Sequence, residues 1–552
     1  MAMQVMSEEF LRTQSVGQIE DIGTKVPSLR ISGAGGSLNE PLISLRGQRP
    51  AESSFAQDQA VPMYVNDVAI SPTQGSNLAL YDLQSLQVLK GPQGTLFGRN
   101  STGGAILMTS KRPGTELGGY AEVKVGDYNL LGFEGAVDVP VNENLQMRLA
   151  AHKLDRDGYQ KNIANNPLRG EEFHDEHSQG FRLSVAFAQN QFDNILVLSL
   201  DENDIAAAMP ITMAVNSSVG LGAYAPLAGW GPWVEGVQRN IARNNPWKIE
   251  TDVKAKEYVK NIFVSNATTF ELTENLSIKN IIGYRQIDFD TATDIDGTAF
   301  PGFGTWTNGA PGVTTNTRPT TLDSEFFSDE VQLLGSAMKD KLDWIVGLYW
   351  SEVDATQDYL VQTSPGPSFD SGITKAINTS YGIFGEGSYA VTEAWSATLG
   401  IRQSWDDREL TVSKWRDLAR TMCNVTGAGG AAIPDCSRSV DEKFNSPTWR
   451  ASLNHTSAAG HLVYGSISTG YRAGGFNTRG NSDATLKPFD EEVVTTYELG
   501  HKGDWETVAG TLRTNAALYW QDYQDIQYTR SFDQGGSTVT RTENAAEAEI
   551  KG

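Results

Sequence analysis

The residues with chemically useful types and spacing fall into four groups. A glycine-dense run, GPQGTLFGRNSTGG at 91–104, invites comparison with a phosphate cradle. It lacks the Lys-Ser/Thr ending of a P-loop and the spacing of a dinucleotide fingerprint, so its glycines are read as supports for tight turns with positive φ. His174 and His177, in FHDEH, are metal-ligand types in a charged stretch, and the chain holds six histidines in all. A solvated loop is the expected reading, with no protein metal site and no cofactor. Cys423 and Cys436 lie in a Gly/Ala/Pro-containing stretch with no histidine near to complete a zinc shell. A disulfide in an oxidising compartment is expected, against the alternative of two free thiols. Aromatic residues concentrate in two segments: Tyr224, Trp230, Trp233 and Trp247 in 203–252, and Phe300, Phe303 and Trp306 in 291–321. Such rings offer large contact area with a polar handle and suit a ligand cage, while an interfacial girdle or loop packing is the plainer use. Trp230 and Trp233, flanked by Gly229, Gly231 and Pro232, read as a loop tip. No Gly-x-Ser-x-Gly elbow and no His-Glu-x-x-His pair occurs, so no enzyme is expected.

The elements that must carry these residues divide the chain in two. Residues 1–115 read as a small α+β domain. Ser7 can cap a short helix with Glu8 and Glu9 in its first turn. Strands are expected at 41–47, 61–70 (with a turn at Asn66-Asp67) and 103–110, and a short helix at 77–87. From Gly119 the period changes to two. Phe181, Leu183, Val185 and Phe187 share one face of 181–188, opposite Arg182, Ser184 and Ala186. Leu512, Leu518 and Trp520 oppose Arg513, Asn515 and Tyr519, and Tyr497 and Leu499 oppose Glu498 and Lys502. Each such strand has one apolar and one wet face. About sixteen are expected across 116–552.

Connections alternate in length. Short turns at 140–145, 189–194, 272–276, 335–342, 391–395, 456–461 and 503–510 separate long segments at 156–177, 203–252, 291–321, 355–377, 411–443 and 474–492. This asymmetry belongs to transmembrane barrels. No stretch reaches the roughly 20 apolar residues of a membrane helix. The net charge of −23 argues against nucleic-acid partners. Met1 opens without a secretory leader, and AEAEIKG stops inside a strand-like stretch. The fold expected is therefore mostly β: an antiparallel transmembrane barrel with about 16 of 22 strands present, plugged by the N-terminal domain.

Three plug segments, ISLRG (43–47), VPMYVNDVAI (61–70) and LQSLQVLKGPQGTLFGRNSTGGAILMTSKRP (83–113), resemble those of TonB-dependent outer-membrane receptors. VYGSISTGYRAGGFN (463–477), TTYELGHKG (495–503) and AALYWQDYQDIQ (516–527) resemble the family's late strands. The resemblance implies a monomer in the Gram-negative outer membrane, in contact with its lipid, that imports a scarce ligand when TonB and its inner-membrane energising complex pull on the plug. The ligand class implied is a metal chelate, foremost a ferric siderophore, which carries its own metal. The family's TonB-contacting box would lie upstream of Met1. An oligosaccharide or cobalamin importer, or a porin or adhesin, is the alternative. The resemblance also implies that plug arginines pair with lumen glutamates, giving an expected cluster of Arg46, Arg99 and Glu498. Residues 48–59 and 71–77 would floor the ligand vestibule, with Trp230, Trp233, Trp247, Phe303 and Trp306 as candidate contacts above it.

Overall fold

A computed structural model describes the whole chain except residues 1, 35–36, 51–53, 78, 216–230, 295, 301–303, 306–319, 363–368, 428–429, 432, 509, 534–537 and 546. Its N-terminal part is built on a five-stranded sheet, in the spatial order Met3–Ser7, Leu83–Lys90, Gly104–Ser110, Met63–Val65, Val68–Ala69. The last two form a hairpin whose turn residues, Asn66 and Asp67, both have positive φ, 50° and 67°. That backbone matches the twist of the flanking strands. Ser7 caps the helix Glu8–Thr13, its hydroxyl accepting from the Phe10 N–H at 3.3 Å.

The helix expected at 77–87 is absent. Leu83–Lys90 is instead the second strand of the sheet, paired on both sides. Leu83, Leu86, Val88 and Leu89 are buried there between neighbouring strands and the core. Leu83, Leu86 and Leu89 recur every third residue, a spacing that resembles a helix in sequence, while a register shift between Leu83 and Ser85 accommodates it in the strand.

Among the described residues, sixteen barrel strands run from Gly118–Val125 to Ala548–Lys551, in an order that closes on itself, with the two-residue strand Gly304–Thr305 added at one edge. Several are long, the longest being Phe369–Ala390 at 22 residues. Alternation sets the two faces. Leu348, Leu399, Leu499 and Leu518 are exposed on the outside, whereas Arg148, Arg182, Ser199 and Thr496 are buried on the inside. A leucine-covered exterior suits hydrocarbon, and the inner face meets protein. The apolar cluster built on Ile19, Ile43, Leu45 and Val61 of the N-terminal domain continues without a break into Val259, Phe263, Ile287 and Phe326 of the barrel wall. The sheet therefore sits inside the barrel and fills its lumen.

Candidate functional site

The site of interest is the seam between plug and barrel, because anything crossing the lumen must loosen it. On the later strands the seam centres on one carboxylate. Glu498 lies on the inward face of Glu492–Thr507 and is 7% exposed. It accepts from Arg46 Nη2 at 2.7 Å, from the Tyr464 hydroxyl at 2.8 Å and from the Ala2 N–H at 2.9 Å. Arg46 follows the strand Ser37–Leu45 in a turn with φ 53°, and its guanidinium stacks 4.0 Å from the Tyr519 ring centre. Gly91, at φ 88°, leaves the room this guanidinium needs: a Cβ there would lie 3.0 Å from Arg46 Nη1. One glycine of the 91–104 run is thus explained by close approach as well as by backbone conformation.

Arg99 lies apart from this cluster. Its partner is Asp406 at 3.3 Å, which also accepts from the Tyr471 hydroxyl at 2.8 Å. Beside it Asp58 of the plug pairs with Arg408 of the barrel. Burial alone would raise Asp58, but the guanidinium groups of Arg408 and Arg99 outweigh it and hold the carboxyl below its ordinary value. The three-residue cluster expected from sequence is therefore two separate centres, because Arg99 follows the short helix Gly94–Phe97, which sits against the strands Phe369–Ala390, Trp395–Trp415 and Leu462–Arg472.

On the earliest strands the seam has the opposite polarity, with barrel arginines gripping a plug acid. Arg148 donates to Asp82 through Nε at 2.9 Å and Nη2 at 2.6 Å, and to Asp138 through Nη1 at 2.6 Å. Arg182 donates to the Tyr81 carbonyl at 3.0 Å and stacks 4.3 Å from the centre of that ring, whose other neighbour is His152 at 4.4 Å. Between the two sides Arg285 donates to the plug carbonyls of Pro72 at 2.6 Å and Gly75 at 3.0 Å. Asp82, Arg148, Arg182, Arg285, Asp58, Asp406 and Arg408 were not singled out as seam residues. The available signal was an arginine or aspartate on the wet face of an alternating strand, a pattern shared with solvated positions.

The plug apices are tied to each other and to the wall. Gln59 donates to Thr73 at 3.0 Å, Gln48 to Gln521 at 3.1 Å, and Gln57 to Thr542 at 3.1 Å. Of the aromatic candidates, Trp233 is corrected. It is 1% exposed on the helix Gly231–Arg243, packed with Val237 and Phe300, and so presents no ring to a ligand. Pro232 sits in the first turn of that helix, where a missing N–H costs nothing, and Trp233 and Val237 are one turn apart on its buried side. Trp247 is exposed and meets Tyr159 edge-on at 5.3 Å. Trp230, Phe303 and Trp306 lie outside the described residues. Cys423 and Cys436 are joined in a disulfide, and the His174 ring lies 2.8 Å from the Tyr159 hydroxyl.

Comparison with known proteins adds to this geometry. Residues 215–552 match the family described as "TonB dependent receptor-like, beta-barrel", and residues 1–105 match "TonB-dependent Receptor Plug Domain". The chain is similar to the pesticin receptor of Yersinia pestis, 24% identical over 536 residues that cover 95% of this chain and 68% of that protein. In fold it is similar to the ferric yersiniabactin uptake receptor FyuA from Yersinia pestis, with TM-score 0.76, 17% identity and 99% and 74% of the two chains covered. The siderophore receptor PiuA from Acinetobacter baumannii gives TM-score 0.71 at 16% identity, covering 100% and 75%.

Proposed function

The chain belongs to the TonB-dependent receptors of the Gram-negative outer membrane, and from that premise we propose that it imports a ferric siderophore, with residues 1–115 as the plug and 116–552 as the barrel. The ligand binds above the plug apices, at 48–59 and 71–77, among extracellular loops that include Trp247. TonB then pulls on the plug, the seam loosens, and the chelate passes to the periplasm. The protein performs no covalent chemistry, and its work is binding and release.

The observation that carries this reading is a plug filling the lumen and held, beside its apolar contact with the wall, by buried charged pairs. A permanently sealed barrel has no need of buried charge, since a well-packed apolar seam of the same volume is at least as stable. Charged pairs instead give an interface that resists thermal opening and fails once geometry is disturbed. The similarity to a ferric yersiniabactin uptake receptor and to a siderophore receptor supports the ligand class. The test is growth. Transcription should rise under iron limitation, and a deletion strain should lose growth on at least one defined ferric chelate as sole iron source. Unchanged transcription together with unimpaired growth on every chelate would refute the iron reading.

A further inference from the structure

A chamber of about 410 Å³ lies between plug residues Gln18, Glu20 and Asn77 and barrel-wall residues His152, Glu176 and Asn203. Its lining holds several polar atoms that lack a hydrogen-bond partner. Asn77 and His152 are 7% and 9% exposed, and neither Asn77 Oδ1 nor His152 Nε2 has a hydrogen-bond partner. Asn203, also in the lining, leaves its Oδ1 unpaired too. The nearest carboxylate to His152 Nε2, that of Asp201, is 4.0 Å away. Gly180 lets His152 and Asp201 pack close to its backbone, since a Cβ there would fall 2.7 Å from His152 Nε2. Buried polar atoms are nearly always satisfied, so several unsatisfied ones around a single space point to something that fills it.

The charge of the lining gives the sign of the occupant. Glu20, Asp21, Glu134, Asp175 and Glu176 face the chamber against Lys124, Lys153 and Arg156. The three cations are engaged: Lys124 with Glu122 at 3.5 Å, Lys153 with Asp155 at 3.2 Å, and Arg156 with Glu176 at 3.7 Å and the His174 carbonyl at 3.0 Å. Glu20, on the plug helix Ile19–Ile22, has no ion-pair partner among the described residues. Burial, with Asp21 and Glu176 nearby, pushes its carboxyl up to about 7. A bare metal ion does not fit, because among the described residues no three His, Cys, Asp or Glu side chains converge as ligands. The volume is that of a small-molecule pocket.

We propose that this chamber binds a small organic cation with several N–H donors, an ammonium or guanidinium compound, held by Glu20 and by the unpaired oxygens of Asn77 and Asn203, beside Glu176, which pairs with Arg156 and accepts from Gln18. Glu20 of the plug and Asn203 of the wall would then share one ligand, so its binding would tie plug to wall. The inference is independent of the import reading, because it concerns binding to the resting protein.

The test uses spermidine as the probe, titrated calorimetrically into the purified protein in detergent at physiological ionic strength. The expected result is saturable one-to-one binding. Glu20→Gln with Glu176→Gln should weaken it by at least about tenfold, as expected when a cation loses its carboxylate partners. Should the double variant not fold, Glu20→Gln alone, on a partly exposed position, should still weaken binding. Asp504→Asn, at an exposed position of the strand Glu492–Thr507 that pairs with Arg513 and does not line the chamber, should leave it unchanged. Absence of saturable heat up to millimolar spermidine, equal affinity in the glutamate variants, or equal binding of manganese(II) at the same site would overturn the proposal.

Discussion

The two sides of the plug are held by different designs. On the later strands one carboxylate, Glu498, gathers three donors, Arg46, Tyr464 and the Ala2 N–H, in a buried spot. On the earliest strands the contacts are spread out: Arg148 has two carboxylates, Arg182 grips a backbone carbonyl and a ring, and Tyr81 reaches Asp201 at 3.2 Å. The charge pattern is also reversed between these two centres, the plug supplying Arg46 at one and Asp82 at the other. The difference teaches where the seam should open. A hub fails when one residue moves, whereas a distributed contact loses one member and keeps the rest. The distributed side also adjoins the covalent link between plug and first strand, at residues 111–117, so opening at the hub would swing the plug about its tether.

Breaking the hub should have the largest effect. Glu498→Ala leaves Arg46 buried without its carboxylate and facing Lys90, whose charge is already felt there. Removing one partner of a buried pair costs about 3–5 kcal/mol. Hydrogen exchange in Met3–Ser7 and Leu83–Lys90 should accelerate accordingly, and ion conductance should appear in planar bilayers under mild urea. Asp82→Asn should matter less, by about 1–3 kcal/mol, because Arg148 keeps Asp138 and Asn still accepts one bond. If Asp82→Asn frees the plug more readily than Glu498→Ala, the hub assignment is wrong.

A smaller, pH-dependent effect sharpens the contrast. Glu20 has its carboxyl raised from 4.5 to about 7 by burial first, then by Asp21 and Glu176. The folded plug thus holds this proton more tightly than the unfolded chain, and stability falls as pH rises from about 4.5 through 7. With no organic cation added, Glu20→Gln should protect the plug relative to the parent at pH 8 in hydrogen exchange, with the difference fading by pH 5. The opposite slope would contradict the environment described. The smallest effect on plug retention is expected from Cys423→Ser with Cys436→Ser. That disulfide closes a loop with a sequence separation of 13 outside both seams, and its removal should loosen only that loop, by about 3 kcal/mol on the chain-entropy account, while exchange in the plug sheet stays unchanged.

Much of the architecture was legible because a membrane barrel writes its two faces into every strand. Phe181, Leu183 and Val185 against Arg182 and Ser184 read correctly without any partner in view. Arg46 could be named from its motif and Glu498 from its side of the strand. The identity of partners was not legible where contacts join distant segments. Arg99 finds Asp406 across 307 residues, and nothing local distinguishes that aspartate from solvated ones. Asp82 and Arg148 were hidden for the same reason. Trp233 was misread because Gly231 and Pro232 signal both a turn and a helix start, and only the spacing to Val237 favours the helix. Segment 77–87 reads as helix because Leu80, Leu83 and Leu86 recur every third residue, although from Leu83 onward the chain pairs in the plug sheet.

The measurement that tests the central claim most directly is uptake of radioactive iron, presented as defined ferric siderophores, by iron-limited cells lacking the chromosomal gene and complemented with it. Saturable uptake of at least one chelate is expected, and it should stop when a protonophore collapses the proton gradient. Uptake that continues unchanged in the presence of the protonophore, or no gene-dependent uptake of any chelate, would contradict it.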